Sequence, residues 1–512
     1  MNSPDSESAL SRRAFLAGTG AVLGAGAVAG CASVAGNAVQ PLADSRADAG
    51  SAGANAANPV ASTGTPRTTV PGEFFETPMR ASTNGLLSTT LRVAETEVGV
   101  GTQLVRASTY EGMYPGPTLE VRPGDTLKIK LANDLNENTN LHTHGLHVSP
   151  SNNSDNVLLT VKPHEPFDYE FKIPKDHPAG TLWYHAHFHT LADKQVFGGE
   201  FGLMVVRGDF DDLPGLAGRR ERVMVVSQIE IKGDAVVDGA NSSLAKQVTL
   251  VNGRYQPDVD IEPGEVQRWR ICNASSVFLR LGLDGHQLNT VAIDGNSLVA
   301  TKAMDLIEIP PGGRADVLIQ GGAPGRYEFR SLTWDTSGAF YSTNMVPVPD
   351  TIVRLVSKGT ATATAAPLPN ALLPMVDLRD VPIDRRRVFR LEEREPRHVG
   401  PNDRFNYFIN GTQFDHNVVN ETMKLGATEE WEFVNLTYEP HPLHIHVNPF
   451  QVVMINGQPS NENHYRDTAT VPPFGSIVIR HQFLDYPGKF VMHCHILFHE
   501  DHGMMQLLEV VA

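Results

Sequence analysis

Apolar and polar residues alternate along this chain with a period of two, and no long stretch carries the helical period, so strands are predicted throughout. Three segments show the pattern best. They are Val121-Arg-Pro-Gly124-Asp-Thr-Leu-Lys-Ile-Lys-Leu-Ala-Asn133, Ile261-Glu-Pro-Gly264-Glu-Val-Gln-Arg-Trp-Arg-Ile-Cys-Asn273 and Met423-Lys-Leu-Gly426-Ala-Thr-Glu-Glu-Trp-Glu-Phe-Val-Asn435. Each runs nine residues from Gly to Asn and reads as a turn followed by a half-buried strand. A second element recurs after each: Gly180 to His185, Gly325 to Arg330 and Gly488 to His493, each five residues on from its Gly. Spaced self-similarity of this kind predicts three copies of one β-sandwich, placed at residues 72–208, 215–357 and 383–512. Thr360 to Pro369, rich in Ala, Thr and Pro, reads as the exposed link before the last copy.

Length and composition agree with this division. The 512 residues exceed what one core can organise, and 35 prolines with 45 glycines suit a turn-rich all-β chain. A net charge of -16 excludes a nucleic-acid partner as the expected ligand. The three cysteines offer no disulfide framework: Cys31 lies in a targeting segment, Cys272 reads as a buried inert thiol, and Cys494 has a metal-ligand context. Ser11-Arg12-Arg13-Ala14-Phe15-Leu16 with the Ala/Gly/Val run to Gly30 reads as a twin-arginine export signal over residues 1–30. Val28-Ala29-Gly30-Cys31 resembles a bacterial lipobox, which would make Cys31 a lipid-bearing first residue, and simple cleavage is the rival reading. Residues 31–71, rich in Ala, Gly, Ser and Asn, then form a flexible tether. The expected location is extracytoplasmic, as a membrane-anchored lipoprotein or a secreted protein.

Candidate chemistry gathers in His493-Cys494-His495, with His499 and Met504 five and ten residues past the cysteine. On a strand over Val491 to Ile496, His493 and His495 face one way and Cys494 the other. Adjacent residues then serve two sites. Thiolate, imidazole and a weak thioether make the ligand set of an electron-transfer copper. Four His-x-His pairs, 142/144, 185/187, 444/446 and 493/495, fall in the first and third copies on predicted strands. The middle copy has Arg330-Ser-Leu332 where its neighbours have His-x-His and reads as a spacer without copper. Eight neutral imidazoles with no carboxylate in the motifs suit copper.

These four motifs together resemble the multicopper oxidase family of laccases, ascorbate oxidase and ferroxidases, over the chain from about residue 72 to the end. The resemblance implies three consecutive cupredoxin-like Greek-key domains and four coppers. It assigns His441, Cys494, His499 and the axial Met504 to a type 1 copper, Met505 being the rival axial ligand by spacing. It assigns His142 and His444 to a type 2 copper, and His144, His185, His187, His446, His493 and His495 to a type 3 pair. Thr143 stands where Trp is common in the first motif. Electrons from a reductant would pass through Cys494 to a cluster that reduces dioxygen to water, with Glu500 and Asp155 as proton relays. The family's copper-efflux members carry a methionine-rich insert that is absent here. Phenols or aromatic amines are therefore the first expected reductants, and Cu(I), Fe(II) or Mn(II) the second; oxidation of Fe(II) would need carboxylates near His441 or His499. A copper-storage protein is the non-enzyme alternative, although storage does not need Cys494 wired to two histidines. Nitrite reductases of the same build keep two domains and no type 3 pair. A monomer is expected. Trp183, Tyr184 and Trp431 read as core aromatics. His147, His189 and His502 are candidates to support ligands, and His164, His177, His286, His398, His416, His464 and His481 read as structural or surface residues.

Overall fold

A computed structural model describes residues 72–100, 103–237, 247–332, 350–360, 367–394 and 406–512. The export signal, the tether with Cys31, His398 and residues 361–366 of the link lie outside them. The described chain is all-β: six sheets in three pairs, each pair one six-stranded and one five-stranded sheet, with two short α-helices at Ala192–Gly198 and Leu497–Asp501. Among the described residues no helix is long and apolar enough to cross a membrane.

The Gly-to-Asn strand takes the same place in each pair. Thr126–Asn133 runs parallel to Leu86–Val100 and antiparallel to Pro166–Lys172. Val266–Asn273 sits likewise between Arg220–Ile229 and Arg314–Gln320, and Thr428–Asn435 between Arg385–Arg394 and Ser476–Gln482. Five residues after the repeated glycine stand Ile129, Trp269 and Trp431, each fully buried at the centre of its own core. Gly124, Gly264 and Gly426 hold φ of +88°, +82° and +84°, which a side chain would strain.

The terminal asparagines explain the other end of the repeat. Asn435 donates from Nδ2 to the carbonyls of Glu439 (2.7 Å) and Val471 (3.3 Å) and accepts from the Thr437 amide (2.8 Å) and hydroxyl (2.9 Å). Asn273 makes the equivalent bonds to Val277, Ile309 and Ser275. Asn133 reaches Glu137, Val161, Lys162 and the Leu135 amide. One side chain thus closes an Asx-type turn and staples the chain to the facing sheet. In the outer copies that stapled loop leads straight to His142 and His441.

Two expectations need correction. The middle Gly-to-Asn strand is buried on both faces, not half-buried, because its polar face docks on the first sandwich. There Arg268 and Arg270 share Asp316 and Asp211, and Arg270 also donates to Thr181 Oγ1 (2.9 Å). The copies also exchange edges. The hairpin Ile231–Lys232/Ala235–Val236, placed by sequence in the middle copy, joins the first copy's sheet beside Gln103–Tyr110. Glu73, at the start of the first copy, bridges to Asp258 of the middle one.

Candidate metal centre

The antiparallel register Leu443↔Cys494, His444↔His493 sets the strands His441–Ile445 and Gly488–Cys494 side by side. Cys494 points into the third sandwich's core beside Met504, while its two flanking histidines point out toward the first copy. The chain then turns into the short helix Leu497–Asp501, held by His499 N to Ile496 O (2.8 Å), which returns His499 to the cysteine. Cys494 Sγ lies 3.6 Å from both His441 Nδ1 and His499 Nδ1, and these nitrogens are 3.3 Å apart. All three side chains are buried. Met504 packs in the same cluster, whereas the neighbouring Met505 packs on the opposite side with Val491 and Leu507.

The eight paired histidines converge between the first and third sandwiches. His142 faces His185 across adjacent strands, and each His-x-His pair keeps its rings close, with centroids 4.8–5.7 Å apart. In three pairs the second histidine falls one or two residues past the end of its strand, so the strand expectation holds for the first members and for His144. His142 stacks on His446 (3.8 Å) and His144 on His444 (3.7 Å), which interleaves the two copies. His187 Nε2 and His446 Nε2 face His493 Nε2 at 3.1 and 3.2 Å. Trp183 does more than fill the core: it stacks on His185 at 4.1 Å and walls the cluster toward His144 and His495.

Burial holds these imidazoles neutral. His142, His144, His185, His444, His446 and His495 are pushed well below the ordinary histidine value by desolvation, and mutual repulsion among the rings adds to it. His187 falls to about 4 and His493 and His499 to about 3 for the same first reason. Burial also pushes the Cys494 thiol well up, so the thiolate needs a cation at its side.

Outward-facing nitrogens meet a second ring of groups. His142 Nδ1 lies 3.0 Å from Asp155 Oδ1, which also accepts from the Thr143 amide (2.9 Å). His493 Nδ1 and His187 Nδ1 lie 2.9 and 3.4 Å from the two oxygens of Glu500. Both carboxyls are buried and raised to about 7 by desolvation, and among the described residues no arginine or lysine pairs with either. Asp155 and Glu500, the two carboxyls singled out from the sequence, thus both lie against histidines of the cluster. Three further groups escaped it. Asp467 lies 3.1 Å from His144 Nε2 through its carboxylate and accepts from His444 Nδ1 at 2.8 Å through its carbonyl. Thr437 Oγ1 meets His441 Nε2 at 2.7 Å. Glu439 Oε2 lies 3.4 Å from His499 Nε2, with Tyr407 stacked on that ring at 3.9 Å. Glu439 is two residues from His441 and could have been suspected; Asp467, in Arg-Asp-Thr, carries no local signal. His147 instead ties Val447 O (2.7 Å) and Asp485, and His502 caps Phe498 O (2.7 Å), so both brace loops away from the ligand atoms. His189 packs on Phe414.

The nitrogens left over fit bound metal. His142 Nε2, His144 Nδ1, His185 Nε2, His444 Nε2 and His495 Nε2 are buried without a hydrogen-bond partner. Two nitrogens about 2.0–2.1 Å from one ion at a tetrahedral angle stand roughly 3.3 Å apart, which the separations around His493 and between His441 and His499 match. Neutral imidazole with thiolate is a donor set for copper.

Comparison with known proteins agrees. Models described as multicopper oxidase match residues 92–210, 224–347 and 381–512. The chain is 28% identical over 414 residues to multicopper oxidase mco of Staphylococcus aureus, covering 78% of this chain and 83% of that one. It is 26% identical over 481 residues to a laccase of Bacillus stratosphericus, covering 79% and 90%. It superposes on a Campylobacter jejuni multicopper oxidase, described as a metallo-oxidase, with a TM-score of 0.73 and 25% identity over 87% of this chain and 96% of that one.

Proposed function

The chain belongs to the multicopper oxidase family of copper-dependent oxidoreductases, and on that premise we propose how its residues divide the work. His441, Cys494, His499 and Met504 hold a type 1 copper, His142 and His444 a type 2 copper, and His144, His185, His187, His446, His493 and His495 a type 3 pair. Bound copper supplies one-electron transfer at the first site and, at the second, reduction of dioxygen by four electrons and four protons to two waters. The observation that carries this reading is the pair of buried donor clusters joined covalently at Cys494, through His493 on one side and His495 on the other. Asp155 and Glu500 hold and release protons beside His142 and His493, since burial without a fixed counter-cation keeps a carboxyl near neutrality. Thr437 and Asp155 set the orientation of His441 and His142.

For the reductant, one observation shifts the balance from phenols toward a metal cation such as Cu(I) or Fe(II). The non-ligating edge of His499 faces the buried carboxylate of Glu439, one oxygen of which has no hydrogen-bond partner. Ionised above about 7, where burial places it, Glu439 attracts a metal cation by charge, whereas a phenol meets it through one hydroxyl hydrogen bond alone. Phenol oxidation remains the second reading, supported by the laccase relative. Oxygen uptake by copper-loaded protein tests both: phenols, Cu(I), Fe(II) and Mn(II) are compared at matched concentration, with Glu439→Gln alongside. A metallo-oxidase shows fast uptake with a metal salt that the variant loses through KM. Preference for phenols in both proteins defeats the cation reading, and no uptake with any donor by fully loaded protein defeats the oxidase in favour of copper storage. We also place the protein outside the cytoplasm, tethered through lipid on Cys31. Incorporation of labelled fatty acid by the parent and not by Cys31→Ala is the expected result.

A further inference from the structure

The middle sandwich carries no ligand of the proposed coppers, yet one of its turns is built into the site. The strands Ile307–Ile309 and Arg314–Gln320 are joined by Pro310-Pro-Gly-Gly, whose Gly312 (φ +80°) donates its amide to Asn273 O at 2.9 Å, the end of the repeated strand. Gly312 lies so close to His495 that a methyl at its Cβ would stand 2.7 Å from the ring carbons Cγ and Cδ2. Directly after the turn, Arg314 is almost fully buried. Its guanidinium grips Asp467 as a fork, Nη1 to Oδ1 at 2.8 Å and Nη2 to Oδ2 at 2.5 Å. The arginine is itself fixed on both sides. Its amide donates to Asp294 Oδ1 (2.9 Å), Nη1 to Gly312 O (3.1 Å) and Nε to Thr181 O of the first sandwich (3.3 Å). Asp294 Oδ2 in turn accepts from the Thr468 amide (3.3 Å).

Asp467 is the third-sandwich residue on which the other two copies close. One carboxylate oxygen serves His144 from the first copy, Arg314 from the middle copy and the Thr468 hydroxyl (2.9 Å), while its carbonyl serves His444. Gly145, after the first His-x-His, leaves the room: a Cβ there would stand 2.5 Å from Arg314 Nη2 and 2.8 Å from Asp467 Oδ2. Of the three carboxylates around the histidine cluster, Asp467 is the one clamped by a guanidinium. It is therefore a rigid acceptor, whereas Asp155 and Glu500 are free to exchange protons. A guanidinium fork fixes both oxygens of a carboxylate in one plane; an ammonium cannot.

We propose that Arg314, from the copy without copper, is a positioning residue of the dioxygen-reducing centre, fixing Asp467 and through it the ring orientation of His144 and His444. The middle sandwich is then a structural member of that centre and not only a spacer. This rests on the ligand assignment above. Support for a ligating histidine by an outer partner is worth about 10- to 100-fold in metal affinity or activity.

The test uses the full-length, copper-loaded chain as Arg314→Lys, with Asp467→Asn as a second variant that keeps the packing and removes only the charge. Arg270→Lys serves as control, since Arg270 is a buried arginine that ties the middle copy to the first through Thr181 and pairs with Asp316, without touching Asp467 or a proposed ligand. Four quantities are read: the blue thiolate–copper absorption and its rate of anaerobic reduction, the type 2 copper EPR signal, copper retained against a chelator, and the rate at which dioxygen reoxidises the reduced protein. In Arg314→Lys and Asp467→Asn the blue band and its reduction stay as in the parent. The type 2 signal shifts, and retention or reoxidation falls about 10-fold or more. Arg270→Lys lowers thermal stability and leaves all four quantities unchanged. The proposal is overturned if Arg314→Lys matches Arg270→Lys in EPR signal, retention and reoxidation, or, where Arg314→Lys does not fold, if Asp467→Asn matches the parent. A parent lacking type 2 and type 3 signals at full copper load sinks the ligand assignment instead, before any variant is compared.

Discussion

The repeated asparagine offers a perturbation with its own control. Asn435→Ala removes four hydrogen bonds from a residue 1% exposed: two to the carbonyls of Glu439 and Val471 and two from Thr437. Each such bond contributes about 1 kcal/mol net, so the loss is about 3–4 kcal/mol, with the stranded carbonyls adding to it where water cannot reach. Asn273→Ala removes a matched set, two donated to Val277 and Ile309 and two accepted from Ser275, and costs a similar amount. The two variants differ in what the stapled turn carries. Thr437 holds His441 at 2.7 Å, while the middle copy's turn carries no ligand. Thermal unfolding of the copper-loaded protein is expected to show comparable losses for both. Only Asn435→Ala should shift or bleach the blue absorption. If Asn273→Ala disturbs that band equally, or Asn435→Ala leaves it intact at lowered stability, the staple does not position the ligand and the reasoning fails.

Cys494→Ser should abolish the blue band and oxidase turnover and lower copper content by one ion per chain while the histidine cluster still loads; metal analysis with EPR decides. Glu200, fully buried and raised to about 8 by desolvation with Glu137 nearby, gives a pH dependence with a definite sign. The unfolded chain ionises near the ordinary glutamate value and the folded chain only near 8. Stability therefore falls as pH rises across that window, by up to about 4–5 kcal/mol, and is flat above it. Glu200→Gln removes the slope, so its stability relative to the parent should climb from pH 5 to pH 8; an advantage equal at both refutes this. Copper removal by a chelator should lower the melting temperature of the parent, because an ion held at a hundred times its Kd adds about 2.7 kcal/mol and the clustered histidines proposed to hold it come from two sandwiches. A chelated protein melting with the loaded one would contradict ligation across the copies.

Patterns of side-chain identity and spacing were enough to reveal the repeat, the all-β character and the histidines and cysteine that the fold gathers. They are local properties: a period of two decides which faces are buried, and His-Cys-His on one strand must look both ways whatever surrounds it. Met504, just before the last strand, and Met505, its first residue, pack on opposite sides, which spacing alone left open. Glu439 lay close to that horizon, two residues from His441. Other features were decided only when the three sandwiches docked. The polar face of Val266–Asn273 looked solvent-facing because its alternation is that of an exposed strand, yet Arg268 and Arg270 are buried by charges from elsewhere in the chain. Asp467 meets a histidine 323 residues away and an arginine 153 residues away. No spacing rule reaches such pairs. Each His-x-His or His-Cys-His motif follows from what its own segment must present, whereas the groups that aim those side chains come from whichever surface packs against them, and that surface exists only in the folded molecule.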